Sequence, residues 1–325
     1  MLFPLAKGPV VRSIGRLWPF LLILSAAAFA CGDEPSEISE IPPSAVASTS
    51  SEQVVPIIVS SELVVGPNRF VLGLLRDNQE VLGAETNLRF FLIEGNTGTL
   101  KSEVVARSVR ITKSYSEVHE NGAVHTHEAG ETGVYVADVT FDAPGDWGLE
   151  VNLRLAGRTF GPQRVPFFVI PRGSTPPIGT VPPPSRQTIL SDVGGDISKV
   201  DTSNPPVTQM HNLTIANAIA SGKPSVIAFA SPAFCVSRIC GPAKQVVDGL
   251  FGEYGGRANF IHIEPYALEE ARSGKGLFPV PVMAEWGLRS EPWIFVLDGQ
   301  GRVVAKFEGM VAAEEVEQAL QEALS

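Results

Sequence analysis

The strongest constraint on the fold is a proline-rich stretch at 171–198. Its prolines include Pro171, Pro176, Pro177 and the run Pro182-Pro183-Pro184, which exclude both helix and interior strand. Such a segment is extended and semi-rigid, and it reads as a linker between two domains. Patterning differs on its two sides. Over 54–170, short apolar or alternating runs recur at 70–75, 88–93, 104–111, 134–141, 147–155 and 165–170, each bounded by turn residues. None carries a helical period of useful length, so an all-β sandwich is expected there. In the run 134–141, Tyr135, Ala137, Val139 and Phe141 share one face, the better core candidate. Val134, Val136, Asp138 and Thr140 share the other. Over 199–325, strands and helices alternate, which predicts an α/β domain with a largely parallel or mixed sheet. Thr214 is placed to cap a short helix that stops at Gly222, and Pro224 opens a buried strand at 225–231. A helix carries Val246, Val247, Leu250, Phe251 and Tyr254. A hairpin turns at 298–301, and an acidic helix closes the chain over 312–324. The sequence does not securely place a strand ahead of the first helix.

Of the 325 residues, 44% are hydrophobic and 18% charged, as in a globular chain. The net charge is −10 and no basic run is interleaved with aromatics, which argues against nucleic acid as a partner. Residues 1–30 read as a signal peptide: Lys7, Arg12 and Arg16 precede an apolar run at 17–30 that ends in Ala28-Phe29-Ala30. Cys31 follows at once. This arrangement resembles a bacterial lipoprotein, which implies acylation of Cys31 and a lipid-anchored protein on the extracytoplasmic side of the membrane. Secretion is the alternative, since Ala28 stands where such sites usually carry leucine. Residues 31–53 are rich in Ser, Glu and Pro and read as a disordered tether.

The chain has three cysteines. Cys235 and Cys240 lie close together, and in an oxidising compartment such a pair is a disulfide or a redox switch. On a continuous helix, residues five apart sit ~140° around the axis and ~7.5 Å along it. A disulfide needs Cα atoms within ~7 Å. The pair is therefore expected in a loop, with regular helix starting at Pro242.

The run GKPSVIAFASPAFC places a buried strand directly before a cysteine, and WGLRSEPWIFVLDGQGRVVAKFEG leads into a hairpin and closing helix. Together they resemble the thioredoxin-like superfamily over about 195–325, specifically its exported, membrane-tethered thiol–disulfide oxidoreductases. The resemblance implies that Cys235 attacks, Cys240 resolves and Pro292 is a cis-proline. It also implies that the Glu291 backbone faces the dithiol and that protein dithiols or disulfides are the substrates. Ser237 and Arg238 are placed to tune the thiolate. Two departures stand out: four residues separate the cysteines instead of two, and the strand 225–231 has no buried acid. The spacing also resembles one group of peroxiredoxins, but Pro232 stands where they carry Thr or Ser, with Ser231 one place too far away and Arg289 displaced. The remaining alternative is a binding or metal-delivery module with a structural disulfide. In the first domain, GVYVADVTFDAPGDWGLEV resembles immunoglobulin-like modules of bacterial envelope proteins and implies no activity.

His119, His125 and His127 lie in a hydrophilic loop with Glu117, Glu120 and Glu128. They read either as a solvated hairpin tip or as metal ligands. His211 and His262 match no ligand pattern. No cofactor and no metal ligand is assigned.

Overall fold

Alternation of apolar side chains builds the first half as strand throughout. A computed structural model describes residues 53–118, 124–235 and 239–325. The signal, Cys31, the tether, His119, Ser237 and Arg238 lie outside them. Strands β1 (Val55–Ile58), β2 (Gly66–Arg76), β3 (Gln79–Glu80), β4 (Glu85–Glu94), β5 (Thr97–Val118), β6 (Val124–Phe141), β7 (Gly145–Leu155) and β8 (Arg158–Val169) follow in turn. They form one antiparallel sheet in the order β1-β2-β6-β5-β4-β7-β8, with β3 paired to β2. Strand β5 serves two neighbours: 97–106 pairs with β4, and 107–118 pairs with β6. The sheet thus folds over one core and is nearly closed, with a Val64–Ile170 bridge beside its outer strands.

The core face expected for 134–141 is the observed one: Tyr135, Ala137, Val139 and Phe141 are all buried in the first core. Phe70 meets Phe90 edge-on at 5.0 Å, and Phe141 meets Trp147 at 4.8 Å, geometries that add to plain area burial. The opposite face is not simply solvated. Val134 and Val136 join Val71 and Val109 against Met310, Ile239 and Ala312 of the second half.

That second half has β9 (Ser225–Phe229), β10 (Asn259–Ile263), β11 (Trp293–Leu297) and β12 (Val303–Glu308), ordered β10-β9-β11-β12. β10 runs parallel to β9, and the other pairings are antiparallel. Helices α1 (Ile215–Ala220), α2 (Cys240–Tyr254), α3 (Leu268–Arg272), α4 (Pro281–Glu285) and α5 (Ala313–Leu324) complete it. The Thr214 hydroxyl accepts from Asn217 N at 3.2 Å, so it caps α1 as its position suggests. Among the described residues, 3-10 turns rather than a strand precede α1. Every residue of β9 is buried. Val226 and Ala228 pack toward α2 and α5, while Ile227 and Phe229 pack toward α1, α4 and Trp286. A strand buried on both faces reads as an unbroken apolar run, as this one does.

The proline-rich stretch lies along the second half; it is without regular structure over 181–189 but, contrary to the extended form expected, turns into short 3-10 helices at Leu190–Val193 and Ile197–Lys199. Gly179 N donates to Val303 O at 2.7 Å, and Val303 N donates to Thr180 O at 2.9 Å. Trp286 Nε1 donates to the Ser185 hydroxyl at 3.1 Å. Glu62, from the loop before β2, accepts from the Thr175 hydroxyl at 2.7 Å and from Ser174 N at 2.6 Å. Arg69 of β2 grips Glu315 of α5 with two bonds, at 2.8 and 3.0 Å, and donates to Met310 O at 2.8 Å. The two sheets and the stretch between them belong to one compact unit, Ser50–Ser325.

Candidate functional site

The strand β9 leads through a turn at 232–234 to Cys235, whose N–H donates to Ser231 O at 3.0 Å. Cys235 and Cys240 form a disulfide with their Cα atoms 6.0 Å apart. This satisfies the distance condition that an intact helix violates. Helix α2 begins at Cys240, two residues ahead of the expected Pro242. Proline is tolerated there because the N–H groups of a first helical turn have no intrahelical acceptor. The pair is asymmetric: Cys240 is fully buried, whereas Cys235 is partly exposed. Cys240 is the first residue of α2, so the N-terminal end of that helix lies at the disulfide.

The Glu291–Pro292 peptide is cis. Pro292 O accepts from Gly309 N at 2.9 Å, so its carbonyl is held by the end of β12. The side chain of Glu291 turns toward the sulfurs: one carboxylate oxygen and both Sγ atoms lie within 4.8 Å of one another. Its Oε2 is buried and makes no hydrogen bond. Burial pushes the Glu291 carboxyl up to about 7, helped by the neighbouring Glu264 and opposed by hydrogen bonds from the Tyr266 hydroxyl and Ser231 N–H. Burial also raises Glu264, and burial with the Glu291 charge pushes Tyr266 up to about 12. Glu264 Oε1 accepts from Thr202 N at 2.7 Å and from the Thr202 hydroxyl at 2.5 Å. That hydroxyl also accepts from Ala233 N, in the turn before Cys235, at 3.1 Å.

An acid thus stands at the dithiol, though not on the preceding strand. It comes from the residue whose backbone alone was expected to matter. Glu264 and Tyr266 were also missed. The signal was the period-two series His262-Ile263-Glu264-Pro265-Tyr266, which puts three polar side chains on one side at the end of β10. His211 and His262, unassigned by sequence, meet Asp201 in the interior behind this site. Arg289 is exposed and Pro232 lies in the turn before Cys235. His125 and His127, expected in a hydrophilic loop, lie instead in β6, paired with β5 opposite Glu117 and Tyr115.

No protein-family description matches the chain, and no curated protein does. Among solved structures, one match is a Chlorobium tepidum protein described as a thiol:disulfide interchange protein, DsbE. It has 16% identity and a TM-score of 0.26, covering 35% of this chain and 86% of that one.

Proposed function

We propose that the chain exchanges thiols and disulfides with other proteins through Cys235 and Cys240, on the extracytoplasmic side of a membrane to which Cys31 anchors it. The observation that carries this reading is the asymmetric disulfide with a buried, unbonded carboxyl oxygen beside it. A substrate thiolate attacks Cys235 Sγ, the accessible sulfur. The Cys235–Cys240 bond breaks and a mixed disulfide forms. Cys240 leaves as a thiolate at the start of α2, where the helix dipole makes it a better leaving group. Protonated Glu291 then gives it a proton. A second substrate thiolate attacks the mixed disulfide, so the substrate leaves oxidised and the Cys235/Cys240 pair is left reduced. In reverse, Glu291 carboxylate takes the Cys240 proton so that Cys240 can resolve. The immunoglobulin-like assignment of the first half is part of the same proposal, as a module that supports the loop without chemistry of its own.

The test is trapping. Cys240→Ser should accumulate mixed disulfides with envelope proteins, whereas Cys235→Ser should accumulate few. Equal trapping by both variants refutes the assignment of roles. No trapping by either, with a disulfide that resists strong reductant, favours a structural staple.

A further inference from the structure

Asp201 follows a 3-10 turn, His211 ends another, and His262 lies in β10, yet topology brings all three together. All are buried, at 4%, 2% and 2% exposure. His211 Nε2 is 2.9 Å from Asp201 Oδ2, and His262 Nδ1 is 3.5 Å from Asp201 Oδ1. The two imidazole rings stand edge to face at 5.2 Å.

The decisive feature is the unpartnered ring nitrogen of His262. Its Nε2 lies 2.9 Å from Ala230 O. A carbonyl only accepts, so Nε2 carries hydrogen. Its Nδ1 is buried, makes no hydrogen bond and faces a carboxylate oxygen at 3.5 Å. A buried polar atom without a partner is costly, and a cation held between it and the carboxylate supplies one. A ring N–H fixed by a backbone carbonyl is also how ligating histidines are commonly oriented.

We propose that Asp201, His211 and His262 bind a divalent first-row metal ion of the zinc type, through Asp201 carboxylate oxygen, His211 Nε2 and His262 Nδ1. The three ligand atoms lie within 4.8 Å of one another, compatible after small shifts with bonds of ~2.0–2.2 Å to one centre. Two imidazoles and a carboxylate are a borderline donor set that suits zinc or ferrous iron better than calcium or magnesium. His262 also lines a cavity of about 890 Å³ with Glu264 and Tyr266. Lys244, whose charge His211 feels, is itself paired with Asp248. The ion would pin the segment 201–211 to β10. Thr202, the residue after Asp201, would thereby be held against Glu264 and the turn before Cys235.

This site is independent of the proposed exchange chemistry. It is tested on the full chain with its disulfide intact, so that no thiol is available. Zinc titrated against a chromophoric competitor should bind one ion per chain. His211→Gln and His262→Gln should each weaken binding at least 100-fold. A Cys235→Ser/Cys240→Ser variant, and one lacking His119, His125 and His127, should bind as the parent does. Because the core variants risk misfolding, zinc X-ray absorption on the unaltered protein provides a second reading, and nitrogen and oxygen ligands without sulfur are expected. Three outcomes overturn the proposal: no binding by the oxidised chain, loss of binding with the loop histidines, or a sulfur-ligated spectrum. So does 15N NMR showing both His262 ring nitrogens protonated whether or not zinc is added.

Discussion

Glu291 holds its proton near neutrality because the fold surrounds it, and this has a thermodynamic sign. Its carboxyl rises from 4.5 to about 7 on folding. Between those values the native state binds more protons than the unfolded chain, so stability falls as pH rises through the window. Glu291→Gln should flatten that slope. With partial exposure discounted, it should be about 1 kcal/mol more stable than the parent at pH 8 and equal to it at pH 5, read by urea unfolding. The same variant should slow exchange near pH 6 while leaving the disulfide able to form. Unchanged rates would remove Glu291 from the proton step. The two cysteines and Pro292 were legible because a strand, a cysteine and a proline each leave a local mark. The Glu291 side chain was not, since its partners Tyr266 and Glu264 lie more than twenty residues away. Asp201, His211 and His262 were hidden because His262 lies more than fifty residues from the other two.

At the scale of elements, periodicity foretold the 134–141 part of β6, β9, the β11–β12 hairpin and α5, because each repeats apolar residues at the spacing of its own geometry, but not the polar first part of β6. It did not foretell how the proline-rich stretch lies. That depends on single polar contacts, such as Glu62 with Thr175 and Ser185 with Trp286, which no local pattern announces. Arg69 is the clearest such contact between the halves, at 10% side-chain exposure against Glu315. Arg69→Ala would leave Glu315 with Arg107 as its charged partner, beside the Ala312 N–H, and strip a donor from Met310 O. The expected cost is about 2–3 kcal/mol in urea unfolding. A loss under about 0.5 kcal/mol would show the contact to be dispensable. Glu62 and Glu315 are both held below the ordinary carboxylate value, Glu62 by Thr175, Ser174 and Lys306, and Glu315 by Arg69 and Arg107, each against the cost of burial. Their contribution is present at neutral pH and is lost as pH falls through and below the ordinary carboxylate range. Acid should therefore loosen the docking first, seen as early protease cleavage within 171–198.

For the whole molecule, the proposed anchor makes a simple demand: Cys31→Ser should move the protein from the membrane fraction to the soluble one. A parent protein already soluble would dismiss the anchor. The apolar seam bears on how such a chain can be divided. Ile239, one residue from Cys240, packs with Met310 and Ala312 against Val71, Val109, Val134 and Val136. Cutting after residue 170 would leave each piece with a bare greasy patch. The reactive segment would also lose the wall that steadies it. Grafting the second half onto a foreign partner should therefore yield a sticky, dye-binding product whose disulfide is reduced more readily than in the parent. Only a partner that restores a valine-rich wall opposite Ile239 should return the parent's behaviour.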